Sequence, residues 1–417
     1  MEVLKGNVMF GQSGGPTAVI NASAAGVFTE ALKQEGIIDK VYGAANGIVG
    51  ILHENFYDIG EEDPRELMLL KSTPSSALGS CRYKLMDLEE SDRDYRQILE
   101  VFKKYNIRYF FYNGGNDSMD TCNKISKYLQ QEGYECRVIG VPKTIDNDLA
   151  GTDHCPGFGS AAKYIATTVM EVFLDARVYN VGMVTVIEIM GRNAGWLTAA
   201  ASLASFKEHG PELIYLPEVP FDLDQMMKDV KREYEKDKKV IVCVSEGVQT
   251  ADGKYIPELV GDLSTDAFGH KQMGGSATIL ANYIKEKLDC KVRGIELSLM
   301  QRCAAHVASK VDVDEAFRSG QEAVRAALDG KTDIMIGLGR PEEGPYETQI
   351  IHVPLEDVAN AEKKVPREWI NEAGNHIEQP FIDYALPLIQ GDSDYVWEDG
   401  LPRFARLKKV PGNDEEA

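Results

Sequence analysis

Residues 140–148 read GVPKTIDND, so Lys143, Thr144, Asp146 and Asp148 follow one another closely just after the apolar run Val138 to Val141. A carboxylate within reach of a hydroxyl can take its proton as the oxygen attacks phosphorus, while a neighbouring ammonium binds the oxygens of an anionic donor. Asp146 and Asp148 stand two apart, which in an extended segment puts them on one face. One then reaches the reacting atom while the other orients it or binds metal. The same letters also spell an Asx turn after a strand with its lysine in solvent.

Two glycine pairs carry related chemistry. FGQSGGPTAVIN at 10–21 places Gly14 and Gly15 after a strand and before a helix, where a backbone without β-carbons can approach a phosphate and the helix dipole attracts it. It is neither GxGxxG nor GxxxxGK[ST], so nicotinamide cofactors and ordinary P-loop chemistry find no support. FFYNGGNDSMDT at 110–121 repeats the plan with Gly114, Gly115, Asn116, Asp117 and Ser118. Any of the last three could cap a helix, but a second glycine pair after a second strand suggests a polyphosphate held between two loops. Arg82, in GSCR at 79–82, is either a solvated surface charge or a guanidinium that neutralises a moving phosphoryl group.

The elements that must position these groups alternate. Apolar runs at Val8 to Phe10, Tyr109 to Tyr112, Val138 to Val141, Met183 to Ile189, Val240 to Val244, Gly294 to Leu297 and Asp333 to Leu338 predict buried parallel strands. Helices are expected from about Ala18 and Asp117, and over Ser160 to Leu174, Asp222 to Tyr234, Thr278 to Leu288 and Val313 to Leu328. This predicts an α/β protein of two doubly wound, Rossmann-like lobes with the active site in the cleft between them, since ligands of such sheets sit at the carboxyl ends of the strands. The pattern breaks down from about Pro366, leaving a C-terminal extension, packed on the surface or on a partner subunit, whose end, KKVPGNDEEA, reads as a frayed acidic tail.

A chain of 417 residues with 43% hydrophobic residues exceeds what one core usually sustains, and two domains are expected. The formal charge of −21 argues against nucleic acid and anionic membranes as partners, so an anionic substrate must be held by a few local cations. Seven scattered cysteines without a CxxC pair, no signal peptide and no apolar span long enough for a membrane indicate a reduced, soluble, cytoplasmic protein. The seven histidines show no zinc spacing.

In order along the chain stand GGP, GSCR, GGNDS, PKTIDND, then EIMGRNAGW at 188–196, VSEG at 244–247 and RGIELSLMQR at 293–302. The set resembles the phosphofructokinases over roughly residues 6–340, and within them the pyrophosphate-dependent branch. The resemblance implies transfer of a phosphoryl group to the 1-hydroxyl of fructose 6-phosphate, reversible with pyrophosphate. Asp146 would be the general base, Thr144 and Asp148 would support the reacting groups, and Arg82 and Lys143 would steady the phosphoryl group. Gly14, Gly15, Gly115, Asn116, Asp117, Ser118 and Lys143 would hold the donor. Met190, Gly191, Arg192 and Glu246, with Thr144 and Asp148, would seat the sugar, and Arg293 and Arg302 would grip its phosphate. Arg293 would come from a neighbouring subunit, implying a homodimer or homotetramer. Magnesium is the implied metal, resting on Asp117 and Asp146. Residues 1–148 with about 303–351 would form the donor lobe, 149–302 with about 352–365 the sugar-phosphate lobe, and 366–417 the extension.

Asp117 stands where ATP-using relatives generally have glycine, and a carboxylate there would crowd and repel the α-phosphate of ATP. Other positions depart from the familiar pattern. Pro16 and Asn116 replace aspartates of many members, and Met183 and Leu299 stand where bacterial ATP-using members have an arginine and a histidine for the sugar phosphate. His270, Lys271 or Lys291 could substitute. Ala25 and Thr29 replace arginines that bind nucleotide effectors, so little response to ADP or phosphoenolpyruvate is expected. An ATP-dependent kinase, sedoheptulose 7-phosphate as acceptor, and a non-catalytic sugar-phosphate sensor are the competing readings. The sensor is disfavoured because Asp146, Lys143 and Arg82 all persist.

Overall fold

The computed structural model describes residues 3–259, 275–341, 344–359 and 361–413. Eleven strands among them build two sheets: β1 (Gly6–Gln12), β2 (Ile38–Ala44), β3 (Phe56–Asp58), β4 (Ile107–Gly114), β5 (Arg137–Pro142), β6 (Met183–Ile189), β7 (Leu213–Tyr215), β8 (Lys239–Ser245), β9 (Lys291–Glu296), β10 (Ile334–Gly339) and β11 (Gln349–Pro354). The larger sheet runs β11-β10-β5-β4-β1-β2-β3 and the smaller β7-β8-β6-β9.

The smaller sheet is wholly parallel, and so is the centre of the larger one. Its edges are not: β3 runs antiparallel to β2 and β11 antiparallel to β10. These edge strands, with β2 and β7, escape a sequence reading because they are short or broken by charge, as in IDKVYGA. The central strands read as continuous apolar runs because both of their faces are covered. The edge strand β9, by contrast, has only exposed and half-buried positions.

Helices cover the sheets where the apolar periodicity puts them, over Ile20–Ala31, Asn116–Gln131, Phe158–Ala176, Leu223–Asp237, Ser276–Lys287 and Lys310–Leu328, and a further helix spans Arg93–Lys104. The helices Ile20–Ala31 and Lys310–Leu328 cross at glycine. A β-carbon on Gly26 would lie 2.0 Å from the Phe317 carbonyl oxygen, and one on Gly320 would lie 2.1 Å from that of Ser23. Any larger residue would force the helices apart and open the core beneath them.

The C-terminal segment is more ordered than its composition suggests. A helix spans Gln379–Ala385, and Trp369, Phe381 and Tyr384 pack against Trp196 in one aromatic cluster. The expected fraying of the last residues is corrected up to Asn413. The Lys408 and Lys409 amides donate to the Glu62 carboxylate, and Gly412 N donates to the Phe56 carbonyl, which satisfies backbone that would otherwise face water. All seven cysteines are free thiols, and no helix among the described residues is long and apolar enough to cross a membrane.

Candidate active site

The first glycine loop leaves β1 at Gln12 and is held from three sides. Ser13 N donates to the Asn113 carbonyl at 2.9 Å, Gly14 N to the Cys81 carbonyl at 3.1 Å, and Ser80 Oγ to the Gly14 carbonyl at 2.6 Å. Gly14 sits at φ +76°, in the left-handed region that only glycine adopts without strain. The glycine pair does not open a helix, since the next one begins at Ile20. Cations face it instead of a helix dipole: a β-carbon on Gly14 would stand 3.2 Å from Lys143 Nζ, and one on Gly15 would stand 3.2 Å from Arg302 Nη1.

The second loop does open a helix. Asn116 is the first residue of Asn116–Gln131, and Gly115 occupies the cap position with no side-chain cap bond. Ser118 packs back on Gly114, whose β-carbon would lie 1.9 Å from Ser118 Oγ. None of the three polar residues spends itself on the cap; Ser118 N donates to the Gly115 carbonyl at 2.9 Å, which leaves the N–H groups of Asn116 and Asp117 to meet an anion. Asp117 is exposed in the first turn. Asn116 Nδ2 donates to Asp148 Oδ2 at 3.0 Å, while Asn116 Oδ1 is buried without a partner among the described residues.

Between the two loops lies Lys143. It is 4% exposed, its backbone N donates to the Gly114 carbonyl at 3.0 Å, and Nζ donates to the Gly15 carbonyl at 2.7 Å. Burial pushes its amine down to about 8; Asp146 and Asp148 oppose the shift, and Arg82 and Arg302 add to it. The lysine is therefore not a solvated surface charge.

Asp146 and Asp148 do not share a strand face as their spacing suggests. Asn147 adopts φ +56° and turns the chain between them. Asp146 N donates to Thr144 Oγ1 at 3.1 Å, and Asp148 leans on Asn116. Burial raises both carboxylates: Asp146 is pulled back by Lys143, whereas Asp148 is pushed to about 7 with help from the Asp146 charge.

The loops after β6 and β8 close the other side. Met190 N donates to Gln301 Oε1 at 3.1 Å, Gly191 N to Glu246 Oε1 at 3.4 Å, and Ser245 Oγ to the Gly191 carbonyl at 2.6 Å. Burial raises the Glu246 carboxyl, and the charges of Glu246 and Asp146 act on one another, as do those of Arg192 and Asp146. Arg82 is exposed; Arg302 is half-buried, and both desolvation and the nearby Arg82 charge lower its proton affinity.

Arg293 stays outside this group. It lies on the exposed strand β9 and lines a surface hollow of about 240 Å³ with Glu171, Asp175, Met183 and Thr185. Met183 pairs in register with Lys291, and Leu299 is 52% exposed. His270 and Lys271 lie outside the described residues.

Three contributors were not among the expected site residues. Gln301 orients Met190, Asn147 turns the chain between Asp146 and Asp148, and Lys363 N donates to the Asp148 carbonyl at 2.8 Å. An asparagine between two aspartates is a weak turn signal that could have marked the second.

Glycine loops at the carboxyl ends of parallel strands, with a buried lysine and buried carboxylates beside them, define a phosphoryl-transfer site at a doubly wound sheet. The phosphofructokinase family pattern matches residues 7–327, and the chain belongs to that family. The pyrophosphate–fructose 6-phosphate 1-phosphotransferase of Halomonas elongata is 45% identical over 406 residues, covering 97% of this chain and 96% of its own. That of Xanthomonas campestris is 44% identical over 409 residues, covering 97% of each. The solved structure of a pyrophosphate-dependent phosphofructokinase from Nitrosospira multiformis is 41% identical and superposes with a TM-score of 0.90 over 99% of both chains.

Proposed function

We propose that this chain transfers a phosphoryl group from pyrophosphate to the 1-hydroxyl of fructose 6-phosphate, reversibly, giving fructose 1,6-bisphosphate and phosphate. The observation that carries the reading is Lys143, buried between the two glycine loops with its charge coupled to Asp146.

Pyrophosphate lies along Gly14, Gly15 and the 115–118 loop, with Lys143 and Arg82 neutralising its oxygens, while Arg302 grips the sugar phosphate. Fructose 6-phosphate sits against Met190, Gly191, Arg192 and Glu246, with Thr144 and Asp148 beside its reacting end. Asp146 takes the proton of the 1-hydroxyl as that oxygen bonds to phosphorus, and the bridging P–O bond breaks to release phosphate. In the reverse direction protonated Asp146 returns the proton.

The residues present suit magnesium. Among the described residues no cluster of three acidic, histidine or cysteine side chains could hold a metal alone, which matches an ion bound through one or two protein oxygens, water and substrate phosphates. Asp146 and Asp117 supply those oxygens. When bound, the ion neutralises pyrophosphate charge.

Residues 1–148 with about 303–351 act as the donor lobe, 149–302 with about 352–365 as the sugar-phosphate lobe, and 366–417 as the extension. The protein works in the cytoplasm as a homodimer or homotetramer, in which Arg293 serves the neighbouring site and Lys291, opposite Met183, assists it.

The test is the initial rate with fructose 6-phosphate and magnesium, comparing pyrophosphate with ATP at equal concentration. A strong preference for pyrophosphate is expected. Preference for ATP would overturn the donor, and silence with both would overturn the acceptor or the activity itself.

A further inference from the structure

The turn that separates the two aspartates is fastened from a distant part of the chain. Asn147 is fully buried at φ +56°, a left-handed conformation that asparagine tolerates better than other non-glycine residues and that its own side-chain bonds hold here. Its Oδ1 accepts from Cys155 N at 2.9 Å, and its Nδ2 donates to the hydroxyl of Tyr384 at 2.8 Å. Tyr384 in turn donates to the Asp153 carbonyl at 2.7 Å, so one phenol bridges both arms of the loop that carries the base.

Tyr384 belongs to the C-terminal helix Gln379–Ala385, beyond the residues 7–327 that match the family pattern. Its ring is fixed by Trp196 and Trp369, with centroids 5.4 and 5.3 Å away. Trp196 closes the EIMGRNAGW loop, so the same cluster touches the segments that seat the sugar and carry the base. Nearby, Lys363 N holds the Asp148 carbonyl, and Trp196 Nε1 donates to the Lys363 carbonyl at 2.8 Å.

We infer that Tyr384 is a positioning residue: through Asn147 it sets the placement of Asp146 relative to the sugar hydroxyl, making the C-terminal segment part of the catalytic apparatus. The inference rests on Asp146 as the base. A phenol that only filled space would contribute to stability and leave turnover per folded molecule untouched. One that fixes the loop acts on the chemical step, because small misplacements of a reacting group are costly.

The experiment compares Tyr384→Phe, Asn147→Gly and the double variant in the full-length enzyme, with Tyr134→Phe, which removes a hydroxyl bonded to the Phe102 and Ile107 carbonyls away from the site, as a control. Glycine keeps the left-handed backbone while removing the amide. Tyr384→Phe is expected to lower kcat by about tenfold while changing the KM for fructose 6-phosphate less than threefold. The double variant should lose no more than the worse single variant, and Tyr134→Phe should keep wild-type kcat. A wild-type kcat in Tyr384→Phe, or losses that multiply in the double variant, would overturn the inference. Asp146→Asn is measured alongside: normal turnover there removes the base assignment and this inference with it, whereas an inactive Asp146→Asn beside a fully active Tyr384→Phe sinks the positioning role alone.

Discussion

Lys143 Nζ donates to the carbonyl of Gly15 at 2.7 Å, tying the base loop to the first glycine loop before any phosphate is bound. The bond keeps a poorly solvated ammonium satisfied, and an incoming anion meets that charge already in place. Lys143→Met should lower turnover with pyrophosphate by about 10²-fold or more, the cost of removing one preorganised donor from a water-poor site. Unchanged steady-state rates would mean that the phosphates do not pass this lysine.

Asp117 is exposed in the first helical turn, and its side chain makes no hydrogen bond or ion pair among the described residues, so its carboxylate can act on the donor. Asp117→Gly should cost about 1 kcal/mol of stability or less, from lost dipole complementarity and glycine entropy. The ratio of kcat/KM for ATP to that for pyrophosphate should rise at least about tenfold, one decade being 1.4 kcal/mol. An unmoved ratio would place donor selection elsewhere.

Asp148 binds its proton more tightly in the folded chain, up to about pH 7, than in the unfolded chain, where an aspartate titrates near 3.8. Between those values the native state holds more protons, so this group's contribution to stability falls as pH rises. Asp148→Asn should therefore raise Tm at pH 8, by about 2 °C or more, and leave it nearly unchanged at pH 4. Turnover should fall at both. A Tm gain larger at pH 4 than at pH 8, followed by calorimetry, would refute the sign.

Much of this was legible in the chain, and the rest fails for identifiable reasons. The buried parallel strands and their helices are written as apolar runs and 3.6-residue periodicity, because both faces of those strands are covered. The glycine loops and GVPKTIDND stand out because phosphate chemistry restricts residue type locally. The path of GVPKTIDND did not show: the two-residue spacing suggests a shared face, but tertiary bonds from Cys155 and Tyr384 hold Asn147 left-handed. The segment after Pro366 shows no element pattern because its stability comes from partners far along the chain, Trp196, Phe56 and Glu62, rather than from its own periodicity. Arg302 joins Gly15 through a return of the chain that no spacing rule encodes.

The most direct test of the account is Asp146→Asn, assayed for turnover with pyrophosphate and magnesium and for equilibrium binding of fructose 6-phosphate. The account predicts a fall in kcat of about 10²-fold or more with sugar binding largely retained, because the amide cannot accept the hydroxyl proton. Near-normal turnover with the fold intact would contradict it, because the proton of the attacking hydroxyl would then leave by another route.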